Sequence, residues 1–579
     1  MQRPPVGKLL AAGLTILIYF MFLAGGGLHA NFSGDDLTNI AFLHGYGRVT
    51  LGVMLVQALS VFTPEYRPVG GLYYRTLFAL FGLHPAPFRI AFFTLLIVNM
   101  ILAGLWYRRL SHSRLTVAAS VLLFSFQPAL AELYYNDGTV YDVLCVLFVL
   151  LLLGHYARLR QGHRLVVGND LLLILALYGA ALGSKEMALS VPAVLMLYEV
   201  IFHPGMGNLR ARLWPIFLLA MMTAVCMAVK ILIPNQMNIN PAYTPHYQPG
   251  FIGNSYLHYY RLLFLNDNLS AALLTAGLIL ALLAAVLLRN RLMLFGILFA
   301  NLTLLTVCTI LPRAGFVWYM PLLGYALYGG EVVSIVNQKL TALLEARAGA
   351  ELWGMRVHSL TQSIVFGTLV IVSVAIQTRH SQNLEAPYLP EPRYLNVMLT
   401  AAKKAAPSLS PGSRILIESD VYPAVWWAPL FLLRLGYQDP TIWVERVSHL
   451  GDRYDPNDVS LYAMRMRWDG SQYRVLTQPQ ASGPPIVFAV IPGEVRRGQT
   501  TRLQFPVALA DCAIDVAYRM PNDELMRGGV WLRWTEINSA GAGVARVNVD
   551  AERGLVVIDQ VRACGRAWIP AQASFVVVP

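Results

Sequence analysis

Long apolar runs recur along the chain as far as about residue 376, and most approach the roughly 20 residues that a helix needs to cross a bilayer. They fall near 9–29, 88–107, 115–132, 140–157, 169–183, 187–202, 213–233, 269–288, 292–311, 316–336 and 359–377, and predict about eleven transmembrane helices. The runs at 169–183 and 187–202 are short, which predicts tilted helices or helices that meet a site inside the membrane surface. Two further apolar stretches, 49–62 and 70–82, are too short to span and too apolar for a free loop. They predict amphipathic helices lying in the interface. The segment 234–268 is rich in Asn, Pro, Tyr and His and predicts a mobile lid over a site.

Beyond 377–385 the pattern changes to that of a soluble protein. Arg414-Ile415-Leu416-Ile417 predicts a strand, 423–436 a helix and Thr441-Ile442-Trp443-Val444 a second strand, a small α/β unit within 378–470. From about 473, short alternating segments at 485–491, 502–507, 513–518, 529–535, 544–549, 554–559 and 573–578 are separated by Gly, Pro, Asn and Asp turns. That spacing predicts a β-sandwich over 471–579. The expected fold class is a polytopic α-helical membrane protein, its transmembrane domain over 1–377, followed by an extracytoplasmic α/β segment and a β-sandwich.

Composition agrees with this division. The 579 residues are 56% hydrophobic and 13% charged, with a mean hydropathy of +0.52, against about 25% charged in soluble proteins. The net charge of +12 sits mostly in short loops between apolar runs. Taking the N-terminus as cytoplasmic, Arg108, Arg109, Arg114, Arg158, Arg160, Arg210, Arg212, Arg289 and Arg291 all fall on the inner side. This is the positive-inside pattern, and an odd number of spans puts the C-terminal domain outside the cytoplasm. No basic patch interleaves with exposed aromatics, so nucleic acid is not an expected partner. The basic tail and apolar run of residues 1–30 resemble a signal peptide, but the run is long for one and predicts a retained helix. Of the five cysteines, Cys145, Cys226 and Cys308 lie in apolar runs, whereas Cys512 and Cys564 lie in the soluble part and are a candidate disulfide in an oxidising compartment.

Candidate chemistry gathers on the outer side. Asp35 and Asp36 directly follow the first span; adjacent carboxylates repel, which suits a general base or a ligand to a hydroxyl or metal. A solvated loop start is the plainer reading of the pair alone. Glu132, Asp137 and Asp142 surround the turn between the third and fourth spans and, with Asp35 and Asp36, imply an acidic outer cleft. Arg67, Lys185-Glu186 and Arg313 are outer charges whose cations oppose the positive-inside trend, and an anionic lipid phosphate would account for them. Simple pairing with nearby acids is the alternative. The span centres are poor in charge, which disfavours a proton-coupled transporter, and there is no Gly-rich phosphate loop, zinc motif or serine elbow.

Five stretches in order resemble the GT-C superfamily of polyprenyl-phosphate-sugar-dependent membrane glycosyltransferases, and in particular relatives of the protein O-mannosyltransferases. They are Asp35-Asp36; Tyr66-Arg67-Pro68-Val69 with Phe81-Gly82 and Pro87-Phe88-Arg89; Gln127-Pro128 through Glu132 to Asp142; Ser184-Lys185-Glu186; and Leu311-Pro312-Arg313 with Tyr319-Met320-Pro321-Leu322. The resemblance covers about residues 10–335. It departs at Gln127, where the family often has His, and at Asn136-Asp137-Gly138, which replaces an Arg-containing turn; no tetratricopeptide repeats follow.

The resemblance implies transfer of a hexose or pentose, with inversion, to an extracytoplasmic protein, lipid or envelope glycan. It implies Asp35 as general base, Asp36 as orienting group or second choice, and Glu132 positioning acceptor or donor. Lys185 and Arg313 would hold the donor phosphate, and Arg67, Asp137, Asp142, Glu186 and Tyr319 would line the substrate site. The expected setting is a bacterial inner membrane, and a divalent metal is neither required nor excluded by the sequence. Two other classes fit the same features less well. A transporter or flippase of lipid-linked sugar would share the cleft without needing a particular carboxylate, and a non-catalytic scaffold would leave the outer charges without a task.

Overall fold

The computed structural model describes residues 6–43, 67–203, 209–232, 244–348, 354–381, 390–421, 428–450, 461–477, 486–496, 499–504, 513–519, 531–537, 544–548, 554–563 and 569–578. The chain forms two compact units: residues 1–32 with 47–389, and 33–46 with 390–579.

The first unit is helical. Its helices, together with one short helix of the second unit, are α1 (Val6–Ala24), α2 (Gly34–Thr38, in the second unit), α3 (Pro68–Phe81), α4 (Pro85–Leu110), α5 (Arg114–Ser125), α6 (Ala131–Tyr135), α7 (Val140–Gln161) and α8 (Gly168–Ser184). They continue with α9 (Val191–Phe202), α10 (Leu209–Leu232), α11 (Pro249–Phe264), α12 (Ala271–Leu287), α13 (Arg291–Leu305), α14 (Pro321–Ala348) and α15 (Gly354–Ser381). Each of the eleven apolar runs is occupied by a helix, but the runs do not make eleven spans of full length. Among the described residues five helices are long and apolar enough to cross a membrane, six if the bent pair α5 and 128–135 is one span; α8, α12 and α13 are shorter apolar helices.

The shortfall has a local cause. The expected third span breaks at Gln127, whose extended backbone (φ −143°, ψ 130°) is what a following proline imposes, and the chain turns by 43° into 128–135. The expected sixth span opens as a 3₁₀ turn, Glu186–Ser190, before α9. The expected tenth span has a 3₁₀ turn, Gly315–Trp318, ahead of α14. The segment 234–268 also differs from a mobile lid: its described part holds the sixteen-residue helix α11, with Tyr259 and Tyr260 buried. The expected interfacial stretch 70–82 is helical in α3, and 49–62 lies outside the described residues.

The unit's exterior is apolar. Along α12 only Ala285 is buried, while Leu273, Leu280, Leu283 and Leu287 are exposed. A face of this kind is untenable in water and at rest in hydrocarbon, so the chain is an integral membrane protein.

The second unit carries the strands. Its helices α16 (Pro390–Ala405), α17 (Ala428–Tyr437) and α18 (Val447–Leu450) accompany β1 (Arg414–Ser419), β2 (Trp443–Arg446), β3 (Met464–Trp468) and β4 (Tyr473–Thr477). These strands form a sheet in the order β2-β1-β3-β4, with β1 parallel to β2 and β3. The parallel β1 and β2 require a crossover, and α17 supplies it with a row of buried Leu and Phe side chains.

The remaining strands are β5 (Ile486–Val487), β6 (Ala489–Ile491), β7 (Glu494–Arg496), β8 (Thr500–Gln504), β9 (Ala513–Arg519), β10 (Trp531–Ile537), β11 (Val544–Asn548), β12 (Gly554–Ala563) and β13 (Ile569–Val578). One sheet runs β10-β9-β12-β13-β5, with β7 also on β13, and a second runs β11-β8-β6. Leu503 of the smaller sheet shares one apolar core with Val516, Val556, Ile558 and Phe575 of the larger, so the two sheets form facing layers. Cys512 and Cys564 lie outside the described residues.

Candidate functional site

Helices α4 and α7 run in parallel, and their ends differ in chemistry. At their C-terminal ends, Arg108, Arg109, Arg158 and Arg160 occupy the last turns, and Gln161 donates to the Arg109 carbonyl. At their N-terminal ends, Arg89 is 1% exposed and makes four bonds. Its Nη1 donates to Asp137 Oδ1 at 3.0 Å, and its other nitrogens donate to the Ala30, Asn31 and Tyr135 carbonyls. One guanidinium thereby pins the chain just ahead of Ser33 to the turn before α7. Asn136 caps that turn, accepting from Gly138 N at 2.8 Å and donating to Glu132 Oε1 at 3.3 Å; Glu132 is half-buried on α6.

A second pair of charges lies beside the first turn of α7. Lys185, between α8 and the 3₁₀ turn that follows it, donates from Nζ to Asp142 Oδ2 at 2.5 Å, with both side chains buried. The ammonium also sits 4.5 Å from the centre of the Phe316 ring. Asp142 Oδ1 is buried with no hydrogen-bond partner among the described residues. Next to Lys185, Glu186 accepts two bonds from Arg67, from Nε at 3.2 Å and from Nη2 at 2.8 Å.

Arg67 is itself unusual. It adopts a left-handed backbone (φ 44°, ψ 61°) ahead of Pro68, a conformation that costs a non-glycine residue about 1–2 kcal/mol and that a following proline disfavours further. Its guanidinium lies 5.1 Å from the Tyr141 ring centre. Three residues on, a Cβ at Gly70 would fall 2.1 Å from the same ring, so α3 approaches Tyr141 as closely as only glycine allows.

The last stretch closes the group. Gly315 sits so near Pro128–Leu130 that a Cβ there would meet the Ala129 carbonyl at 1.7 Å. The Tyr259 backbone carbonyl accepts from Trp318 Nε1, and its hydroxyl accepts from Arg313 N. Arg313 is half-buried, and its carbonyl lies 3.3 Å from His258 Nε2. Tyr319 is buried, stacked on Phe124, with its hydroxyl accepting from Asn99 Nδ2 at 3.2 Å, a packing position deeper in the helices.

Arg67, Asp137, Asp142, Lys185 and Glu186 are therefore gathered around the N-terminal end of α7, with Glu132 on α6 and Arg313 just ahead of the Gly315–Trp318 turn. Arg89, Tyr141 and Phe316 complete the group and were not among the expected site residues. Arg89 had a sequence signal, a cation at the outer end of an apolar run; the two rings had none.

Asp35 and Asp36 belong to the second unit, on the five-residue α2. Asp36 is buried and closes a capping box: its Oδ2 accepts from Ser33 N at 2.7 Å and Ser33 Oγ at 2.9 Å, while its own N–H donates to Ser33 Oγ. Asp35 is exposed on the first turn of the same helix. No group of three or more His, Cys, Asp or Glu side chains is placed to hold a metal ion among the described residues.

Fold and site together define an integral membrane protein with a compact set of buried ion pairs at one end of its helices. Among solved structures the chain is similar to ArnT from Cupriavidus metallidurans in the apo state, at 14% identity and a TM-score of 0.45, covering 80% of this chain and 93% of that one. It is also similar to ArnT from the same organism bound to undecaprenyl phosphate, at 13% identity and a TM-score of 0.43, with the same coverage. No family model and no curated protein sequence matches the chain.

Proposed function

We propose that this protein is a GT-C-type glycosyltransferase that moves one sugar from a polyprenyl-phosphate donor to an extracytoplasmic acceptor. One observation carries the reading. Three of the five stretches in which the sequence resembles that superfamily, those of Arg67, Asp142 and Lys185-Glu186, meet at the Lys185–Asp142 pair, and Phe316, between the two halves of a fourth, covers Lys185. A purely structural set of ion pairs has no reason to draw on those stretches in particular.

In this reading Asp35 takes the proton from the acceptor hydroxyl. The freed oxygen attacks the anomeric carbon from the face opposite the phosphate. The bond between that carbon and the phosphate oxygen breaks, its electron pair leaves with the polyprenyl phosphate, and the anomeric centre inverts. Asp36 is buried in its capping box, and Asp35 is the exposed carboxylate of the pair. Lys185 and Arg67, with Arg313, hold the donor phosphate; fixed cations there stabilise the charge that develops on the leaving group. Because Lys185 and Arg67 already face Asp142 and Glu186, an arriving phosphate exchanges one anionic partner for another instead of entering an uncompensated cationic pocket.

The N-terminus is cytoplasmic and the second unit extracytoplasmic in a bacterial inner membrane. This assignment is supported by the arginines at the C-terminal ends of α4 and α7.

The test is sugar transfer by the full chain in liposomes, with a panel of polyprenyl-phosphate sugars and an envelope extract as acceptor. Asp35→Asn should lower transfer by about 10²–10⁴-fold, the usual worth of a general base, while donor binding is kept. Transfer that survives in Asp35→Asn removes the base assignment. Wild-type protein that flips lipid-linked sugar and transfers none removes the enzyme assignment.

A further inference from the structure

At the opposite end of the helices from the candidate site, α1, α4 and α5 enclose a groove of about 390 Å³. Its walls are almost wholly apolar, from Gly13 and Ile16 on α1, Ile97 and Gly104 on α4 and Val117 on α5, and Arg108 and Arg114 stand at its rim. From Ile97 to Arg108 the groove follows α4 for about 16 Å at 1.5 Å per residue. That is the depth of one leaflet, half of a hydrocarbon core of roughly 30 Å.

Both arginines are exposed, and neither forms an ion pair with a carboxylate among the described residues. Arg108 donates to the His112 carbonyl, which holds its head at the rim. The buried cations of this unit contrast with them: Arg67, Arg89, Arg160, Lys185 and Arg212 are all matched to acids. A chain-deep apolar slot with two unmatched cations at its mouth is complementary to an amphiphile with a long hydrocarbon chain and an anionic head.

We infer that this groove is a binding site for an anionic phospholipid of the leaflet at the Arg108 end, one acyl chain lying along Gly13 and Gly104 and the phosphate between Arg108 and Arg114. The occupant is a bilayer lipid and not the sugar donor, because the candidate transfer site sits at the other end of α4. The lipid joins α1 to α4 and α5 where side chains leave the space open. A Cβ at Gly13 would meet nothing within 4 Å, so the groove exists because that wall is bare.

The full chain, purified in a mild detergent, would be incubated with phosphatidylglycerol or phosphatidylcholine, and retained lipid counted by native mass spectrometry. Wild type should keep one phosphatidylglycerol in preference to phosphatidylcholine. Arg108→Gln with Arg114→Gln should reduce that preference by about thirtyfold, from the loss of two interfacial cations. Gly13→Leu, which fills open space and should leave helical content and thermal unfolding unchanged, should abolish retention. Equal retention of the two lipids by wild type overturns the inference, as does undiminished retention in a folded Gly13→Leu protein. Stoichiometric displacement of phosphatidylglycerol by polyprenyl phosphate overturns it too, and would make the groove a donor or product site.

Discussion

At the scale of single residues, Asp35 and Asp36 differ in their surroundings. The sequence offers them as equals, and nothing in two adjacent carboxylates says which one is used. The distinction arises in three dimensions: Ser33, three residues before Asp36, draws that carboxylate into a capping box and leaves Asp35 exposed. Asp36→Asn should therefore lower the stability of the second unit by about 1 kcal/mol, the usual worth of a cap, and Asp35→Asn should not, as read by thermal unfolding of the two purified variants. The cations Arg67 and Lys185 were legible because they oppose the positive-inside trend. Their partners were only partly so. Glu186 is a chain neighbour of Lys185 yet pairs with Arg67 instead, and Phe316 lies far along the chain. A ring that covers a cation belongs to the packing of several helices, and a one-dimensional pattern carries no trace of it.

At the scale of elements, apolar periodicity located a helix in each of the eleven long runs, because burial in hydrocarbon leaves the backbone no other way to satisfy its hydrogen bonds. It did not locate the breaks. Pro128 stands within an apolar run, but a proline inside such a run reads equally as a kinked helix or as a broken one. Packing settled the matter. The 3₁₀ turn at Gly315–Trp318 lies against the turn at Pro128–Leu130 with no room for a side chain, and both turns border the candidate site. The breaks are thus what brings backbone turns, and with them Lys185, Glu186 and Arg313, to one place. Gly315→Ala drives a methyl group into the Ala129 carbonyl, and overpacking of this sort costs about 1–3 kcal/mol. The variant should show a lowered unfolding temperature together with weakened donor binding. A stable Gly315→Ala protein with unchanged binding would mean that the two turns do not support the site.

At the scale of the whole molecule, the division into an apolar helical part and a strand-bearing part was legible from the change in composition alone. The assignment of residues 33–46 to the second unit was not. A short segment after the first helix carries no compositional sign of belonging with a sheet region hundreds of residues later; only the packing of α2 with α17 assigns it there. The central claim joins this architecture to one chemistry, release of polyprenyl phosphate at the Lys185–Asp142 pair, and the most direct measurement follows that product. Free polyprenyl phosphate would be quantified after incubating donor and acceptor with wild type and with the double variant Asp142→Asn, Lys185→Met. The double variant removes both charges together and so avoids stranding a buried carboxylate. With its thermal unfolding matched to wild type, the double variant should release product about 10²–10³-fold more slowly, as expected when a preorganised group facing the leaving charge is lost. Equal release by the two proteins would contradict the account.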